Sequence, residues 1–313
     1  AYHRRQRQMC IRDSLMPVNL TGINLIVDES FFNLSVNGEM LDLNYRTDVV
    51  YGTTRQIEEV AFDDSDLIFV GYGVNAPEYD WNDYKVDVTG KTVVMLINDP
   101  GFELKGTEFN GKAMTYYGRW TYKFEEAARQ GAAGVLIIHE TAPASYPWGV
   151  VENGWSGEQL NLTFADRNLD RSALEGWITL DLAEQLFAEL GSSYDEMKSL
   201  ALSKDFQPVA MEGMKLSSKM VSFIRTSDSL NVVGYVEGSE APEEFVLIIG
   251  HWDHMGVDTS LEGDQIYNGA VDNATGTAAV MHMAETFSKR KPKRSVAFIA
   301  VSYTHLTLPT MIR

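Results

Sequence analysis

One cysteine in 313 residues, Cys10, rules out any disulfide within the chain. A small scaffold stapled by disulfides is thereby excluded, while the cellular compartment stays open. Basic residues are scarce as well: 26 Lys and Arg stand against 44 Asp and Glu, for a net charge of −18. The acidic residues are spread rather than blocked. Nucleic acid is excluded as a partner, because it demands a basic footprint, and a soluble, monomer-prone surface is favoured. No apolar run is long enough for a membrane-spanning helix; the longest, residues 93–97 and 245–249, have the length of buried strands. The basic start is not followed by the apolar stretch of a signal peptide. Internal repeats and low-complexity segments are lacking too.

The hydrophobic share of 44% and charged share of 22% are those of an ordinary globular protein, and the length suits two domains. The two ends stand apart. Residues 1–14 carry four arginines and one aspartate, a local charge of +3 in an acidic chain, and residues 303–313 lose all pattern after an apolar strand. Both resemble translated sequencing-adapter segments and are read as non-native tails, which removes Cys10 and His305 from consideration. The other reading is a basic N-terminal arm and an irregular C-terminal tail.

Between the tails the pattern is α/β. Short strands are expected at residues 25–27 and 31–36. Strands follow at 67–72 (LIFVGY), at 92–97 (TVVMLI), closed by an Asn-Asp-Pro-Gly turn, and at 134–139 (GVLIIH), with a helix over 120–130 stopped by Gly131. Helices are expected at 181–190 and 193–202, and a domain boundary near Gly213. Residues 219–225 and 231–237 read as paired strands. The run 245–250 (FVLIIG) reads as a strand buried on both faces. A helix over 274–289, with Ala278, Met281, Ala284 and Phe287 on its apolar face, leads to a strand at 295–301. Strand, helix, strand of this length is a crossover in a mostly parallel sheet.

The chemistry concentrates in His251-Trp252-Asp253-His254-Met255-Gly256 and Gly269-Ala270-Val271-Asp272-Asn273-Ala274-Thr275-Gly276. His251 directly follows a strand, the place where open α/β sheets bind ligands. In an extended chain His251 and Asp253 point to the same side, so the carboxylate can accept the second imidazole N–H and fix the tautomer of a metal-bound histidine. Asp272, in a small-residue turn before a helix, can offer an oxygen that bridges two cations. Each has a plain structural alternative. A histidine after a strand is usually a hydrogen-bonded core or surface residue, and Asp272 or Asn273 can simply cap the helix.

Taken together, GHWDHMG and GAVDNATG, with the helix and FIAVS strand behind them, resemble the di-zinc aminopeptidases of metallopeptidase family 28. Upstream, FVGYGVNAPEYDWNDY, GKTVVMLINDPG and the segment 113–143 resemble members with a protease-associated domain inserted in the catalytic domain. The resemblance implies a partial zinc-aminopeptidase (phosphorylase/hydrolase-like) mixed sheet with an inserted β-rich α/β domain. It divides the chain into a partial start of the peptidase domain (15–60), the protease-associated insertion (61–212) and the first metal-ligand half of the peptidase domain (213–302). It places zinc ligands on His251 and Asp272, the latter bridging two Zn2+, an orienting carboxylate on Asp253, and a cis peptide between Asp272 and Asn273. It implies peptide substrates, removal of N-terminal residues by a zinc-activated water, and a secreted or periplasmic protein.

The departure lies after residue 301, where the family continues into Gly-Glu-Glu. The first of those glutamates is the general base and the second a ligand; here YTHLTLPTMIR follows. His282 and Glu285 are no substitutes, since both lie on the helix. The chain is thus expected to be inactive by itself, a piece of an aminopeptidase missing its general base. Two other readings stay open: a glutaminyl cyclase-like enzyme, which shares the fold but uses one zinc, and a non-catalytic binding protein built on the protease-associated domain.

Overall fold

The computed structural model describes residues 15–104, 106, 108–254, 256–257 and 262–302. The two tails, with Cys10 and His305, lie outside the described residues. The chain divides into a unit of residues 21–225 and a unit of residues 226–313 with 1–20.

In the order of the chain, β1 (Leu15–Leu25) and β2 (Phe31–Val36) come first. The expected strand at 25–27 ends instead at Leu25, because Val27–Glu29 coils into a 3-10 turn closed by the Ser30 hydroxyl on the Ile26 carbonyl at 2.8 Å. Next come β3 (Val49–Gly52), β4 (Glu59–Phe69), β5 (Thr92–Leu96), helix α1 (Trp120–Arg129), β6 (Gly134–Ile138) and β7 (Leu174–Ile178). Helices α2 (Leu180–Glu189) and α3 (Tyr194–Leu200) complete this stretch.

Strands β4, β5, β6 and β7 lie side by side and parallel, with β3 antiparallel on the far side of β7. Gly134 stands opposite Thr92, and a Cβ there would come within 2.8 Å of the Thr92 hydroxyl, so glycine permits the close pairing. Side chains alternate across this sheet. Leu67, Phe69, Leu96, Leu136 and Ile138 pack with Leu186, Phe187 and Met197 of α2 and α3. Ile68, Met95, Val135, Ile137 and Trp177 pack with Phe124 and Ala127 of α1. Cover on both faces is why β5 and β6 read as unbroken apolar runs. Helix α1 ends where expected, at Gly131 with φ 80°. Thr179 caps α2, and Ser193 with Glu196 forms a capping box on α3.

The next strand, β8 (Val209–Val236), corrects the expected pair at 219–225 and 231–237: both lie on one unbroken strand. Its first half pairs antiparallel with β2 and β4, and its last residues pair with a later strand. The intervening Thr-Ser-Asp-Ser-Leu is polar but carries no Gly or Pro, and it stays extended, with Asp228 accepting from Asn19 at 2.8 Å. Strand β8 continues through Gly213, where the sequence placed a domain boundary.

The unit of residues 226–302 is a second α/β arrangement of β9 (Ala241–His251), α4 (Thr275–Lys289) and β10 (Arg294–Val301). β10 lies between β8, antiparallel, and β9, parallel. Val280 of α4 is buried against Val296 and Phe298, with Ile248, Met283, Ala284 and Phe287 around them. Two expectations are corrected. β9 is not buried on both faces: Phe245 is 53% and Leu247 44% exposed, while Ile248 packs against Val280 of α4. Met281 is 68% exposed, because the buried stripe of α4 runs through Val280 and Ala284 rather than 278 and 281. The whole is a mixed α/β fold containing a large mixed sheet.

Candidate metal centre

His251 is the last residue of β9 and stands opposite Val301 of β10; the following N–H, of Trp252, donates to the Val301 carbonyl at 2.9 Å. The indole of Trp252 donates to the Leu230 carbonyl at 3.1 Å. The strand end is thus held on the β10 side, and the imidazole projects at the carboxyl edge of the sheet, where such folds bind ligands. The carbonyl of His251 is taken by the hydroxyl of Thr277, in the first turn of α4, at 2.8 Å. Strand and helix can approach this closely because a Cβ on Gly250 would already lie 3.1 Å from the backbone of Gly276.

Asp272 sits on the loop that enters α4. Gly269 supplies the left-handed turn at its start (φ 62°). The loop closes on itself through Ala274 N–H to the Gly269 carbonyl at 2.9 Å and the Thr275 hydroxyl to the Val271 carbonyl at 2.8 Å. The peptide bond between Asp272 and Asn273 is cis. Of the two residues able to cap the helix, Asn273 does so: its amide oxygen accepts from the Gly276 N–H at 3.0 Å. The Asp272 carboxylate turns the other way, to 3.0 Å from Nε2 of His251.

The other ring nitrogen of His251 faces Asp253. Nδ1 lies 3.1 Å from the Asp253 carbonyl oxygen and 3.4 Å from its carboxylate. The main chain of Asp253 therefore makes the nearer contact, where the sequence pointed to the side chain. With Nδ1–H donated to that carbonyl, a neutral imidazole presents its Nε2 lone pair to Asp272. Lone pair and carboxylate repel at 3.0 Å unless a proton or a metal cation lies between them. Two ligands of one tetrahedral zinc, at bond lengths of about 2.0–2.1 Å, stand roughly 3.3 Å apart. Imidazole and carboxylate thus fit two neighbouring corners of one ion's coordination shell. Among the described residues no group of three His, Cys, Asp or Glu side chains could hold a metal.

Other candidates fall away from this pair. His282 and Glu285 are exposed on α4, with Glu285 paired to Lys289. His254 lies edge-on to Tyr267. His139, in the unit of residues 21–225, is buried, donates from Nε2 to the Tyr146 carbonyl at 3.0 Å, and burial holds its pKa down. The aromatic stretch 116–122 packs mainly inward, through ring contacts of Tyr117 and Tyr122 with each other and of Tyr117 with Phe109. Thr277 and Gly250 escaped sequence reasoning. A glycine before the strand's last residue and another in the helix's first turn were the available signal of close approach.

Residues 231–303 match the model of Peptidase family M28. Among curated proteins the chain is similar to a probable zinc metalloprotease of Leptosphaeria maculans, 32% identical over 130 residues, which are 42% of this chain and 26% of that protein. It is also similar to a glutamate carboxypeptidase 2 homolog of Caenorhabditis elegans, 30% identical over 99 residues, 30% of this chain and 11% of that one. The chain thus spans about a quarter or less of these relatives. Among solved structures it aligns with an aminopeptidase from Aneurinibacillus sp. strain AM-1 at TM-score 0.39 and 17% identity, covering 95% of this chain and 55% of that one. The peptidase M28 precursor of Shewanella amazonensis aligns at TM-score 0.37 and 17% identity, covering 92% and 54%.

Proposed function

We propose, from the premise that this chain belongs to peptidase family M28 through residues 231–303, that it comes from a zinc-dependent aminopeptidase and carries half of its metal site. The observation that carries the reading is the meeting of His251 Nε2 and Asp272 at 3.0 Å, with Nδ1 turned to Asp253. His251 and Asp272 would hold zinc, Asp272 bridging to a second ion. Bound zinc supplies an activated water and polarises the scissile carbonyl. This chain's own part is to present a neutral imidazole in one tautomer, held by Asp253, beside an anionic oxygen. Peptides with a free N-terminus are the proposed substrates. Residues 61–212 are proposed to form a protease-associated domain, and the parent protein to be exported.

Catalytic zinc usually has three protein ligands, and among the described residues no third donor joins this pair. The 313-residue chain is therefore expected to bind zinc weakly and not to hydrolyse peptides. Zinc uptake is measured by competition with a chromophoric chelator, beside a peptidase assay. Uptake should fall in His251→Ala and in Asp272→Ala. Uptake indifferent to both changes would sink the ligand assignment. Hydrolysis by the purified chain that disappears in His251→Ala would overturn the expected inactivity.

A further inference from the structure

We propose that Thr277 is a positioning residue for the metal-binding pair, its hydroxyl clamping the end of β9 to the first turn of α4 so that the His251 imidazole meets Asp272. The proposal rests on the reading of His251 and Asp272 as ligands. Threonine is a poor helix former beside the alanines that follow it, and a helical threonine commonly returns its hydroxyl to the carbonyl four residues back. Two others in this region do so: Thr275 to Val271 at 2.8 Å and Thr286 to His282 at 3.0 Å. Thr277 instead reaches out of its helix to the carbonyl of His251 at 2.8 Å.

Both metal donors are thereby referred to one helical turn. Asp272 is tied to it through Asn273, whose amide oxygen holds the Gly276 N–H at 3.0 Å. His251 is tied to it through Thr277 alone among the hydrogen bonds described between β9 and α4. Gly250 and Gly276 bring the two backbones into contact but cannot fix their register, since neither has a side chain to interlock. A slip of strand against helix would pass directly into the gap between Nε2 and the carboxylate. Metal sites tolerate only about 0.5 Å of misplacement.

The test compares Thr277→Val, which keeps the shape and removes the hydroxyl, with Thr277→Ala and with Thr277→Ser, which keeps the hydroxyl, all in the full 313-residue chain. Crystal structures of the metal-free proteins report the separation of His251 Nε2 from Asp272, and competition against a chelator reports zinc affinity. The serine variant should match wild type. The valine and alanine variants should open the 3.0 Å separation by more than about 0.5 Å and weaken zinc about 10–100-fold. An unchanged separation in both hydroxyl-free variants overturns the proposal, as does a serine variant that behaves like valine. Failure of wild type to take up zinc counts against the metal reading, whereas the separations still decide the role of Thr277.

Discussion

The same four residues, Val-Leu-Ile-Ile, occur in β6 as 135–138 and in β9 as 246–249. In β6 all four are 0% exposed; in β9 Val246 is 45%, Leu247 44% and Ile249 38% exposed. Strand β6 has parallel neighbours on both edges and helices over both faces. Strand β9 pairs with β10 and is shielded by α4 from one side. Burial is thus a property of the layers around a strand rather than of its own residues. A histidine follows each run, His139 at once and His251 after one glycine, and the contrast carries over. His139 is enclosed by Tyr146, Trp148 and Trp177, while His251 stands at the strand end between two aspartates. One histidine is packed among aromatic rings, and the other faces two carboxylates.

The comparison breaks most readily under one substitution made twice. Leu136→Ala removes a side chain packed on every side and should cost about 2–5 kcal/mol by denaturant unfolding. Leu247→Ala, in the identical tetrapeptide, should cost less than about 1 kcal/mol, because much of that side chain already meets water. Equal losses would mean that β9 is as well covered as β6.

A smaller effect separates the caps of the two units. Asn273→Ala leaves the Gly276 N–H without its acceptor, and Ser193→Ala does the same to Glu196 in α3. Each should cost about 1 kcal/mol. Only the first should also displace the Asp272 carboxylate from His251, because Asn273 is its direct neighbour. A crystal structure of Asn273→Ala with the 3.0 Å separation intact would show that the loop is held without its cap.

Much of this was legible in the sequence, and the failures have a common cause. The runs at 67–72, 92–97 and 134–139 announced strands, and Gly131 announced the end of α1. Strand β7 (Leu-Glu-Gly-Trp-Ile) went unread because Glu175 interrupts its apolar run. That carboxylate is buried and satisfied by Arg171 at 2.8 Å and Thr54 at 3.2 Å, partners outside the strand itself. FVLIIG was read as buried on both faces because nothing in the run itself distinguishes it from GVLIIH. At the site, His251 and Asp272 stood out by their places at a strand end and a helix start. Capping by Asn273 was among the readings the sequence offered, but the role of Thr277 was not, since it exists only once strand and helix touch at Gly250 and Gly276. Local pattern exposes elements and bare donors; what holds the donors together is contact between elements.

The smallest expected effect is a slope rather than a level, and it concerns the two histidines. Burial lowers the pKa of His139 from its ordinary 6.5, against the opposing pull of the Tyr146 carbonyl and Glu140. Between the lowered folded value and 6.5 the unfolded chain binds more protons than the folded one, so stability rises with pH across that window. The contribution is present in full above 6.5 and is lost as pH falls through the folded value. Replacing His139 by Gln removes the titrating group and keeps a polar tip near the Tyr146 carbonyl. The difference in unfolding free energy between wild type and His139→Gln should therefore shrink on acidification below pH 6.5. A difference that stayed flat, or grew, would mean that His139 is solvated well enough to take its proton in the folded state. The enclosure that sets it apart from His251 would then be looser than the packing of Tyr146, Trp148 and Trp177 implies.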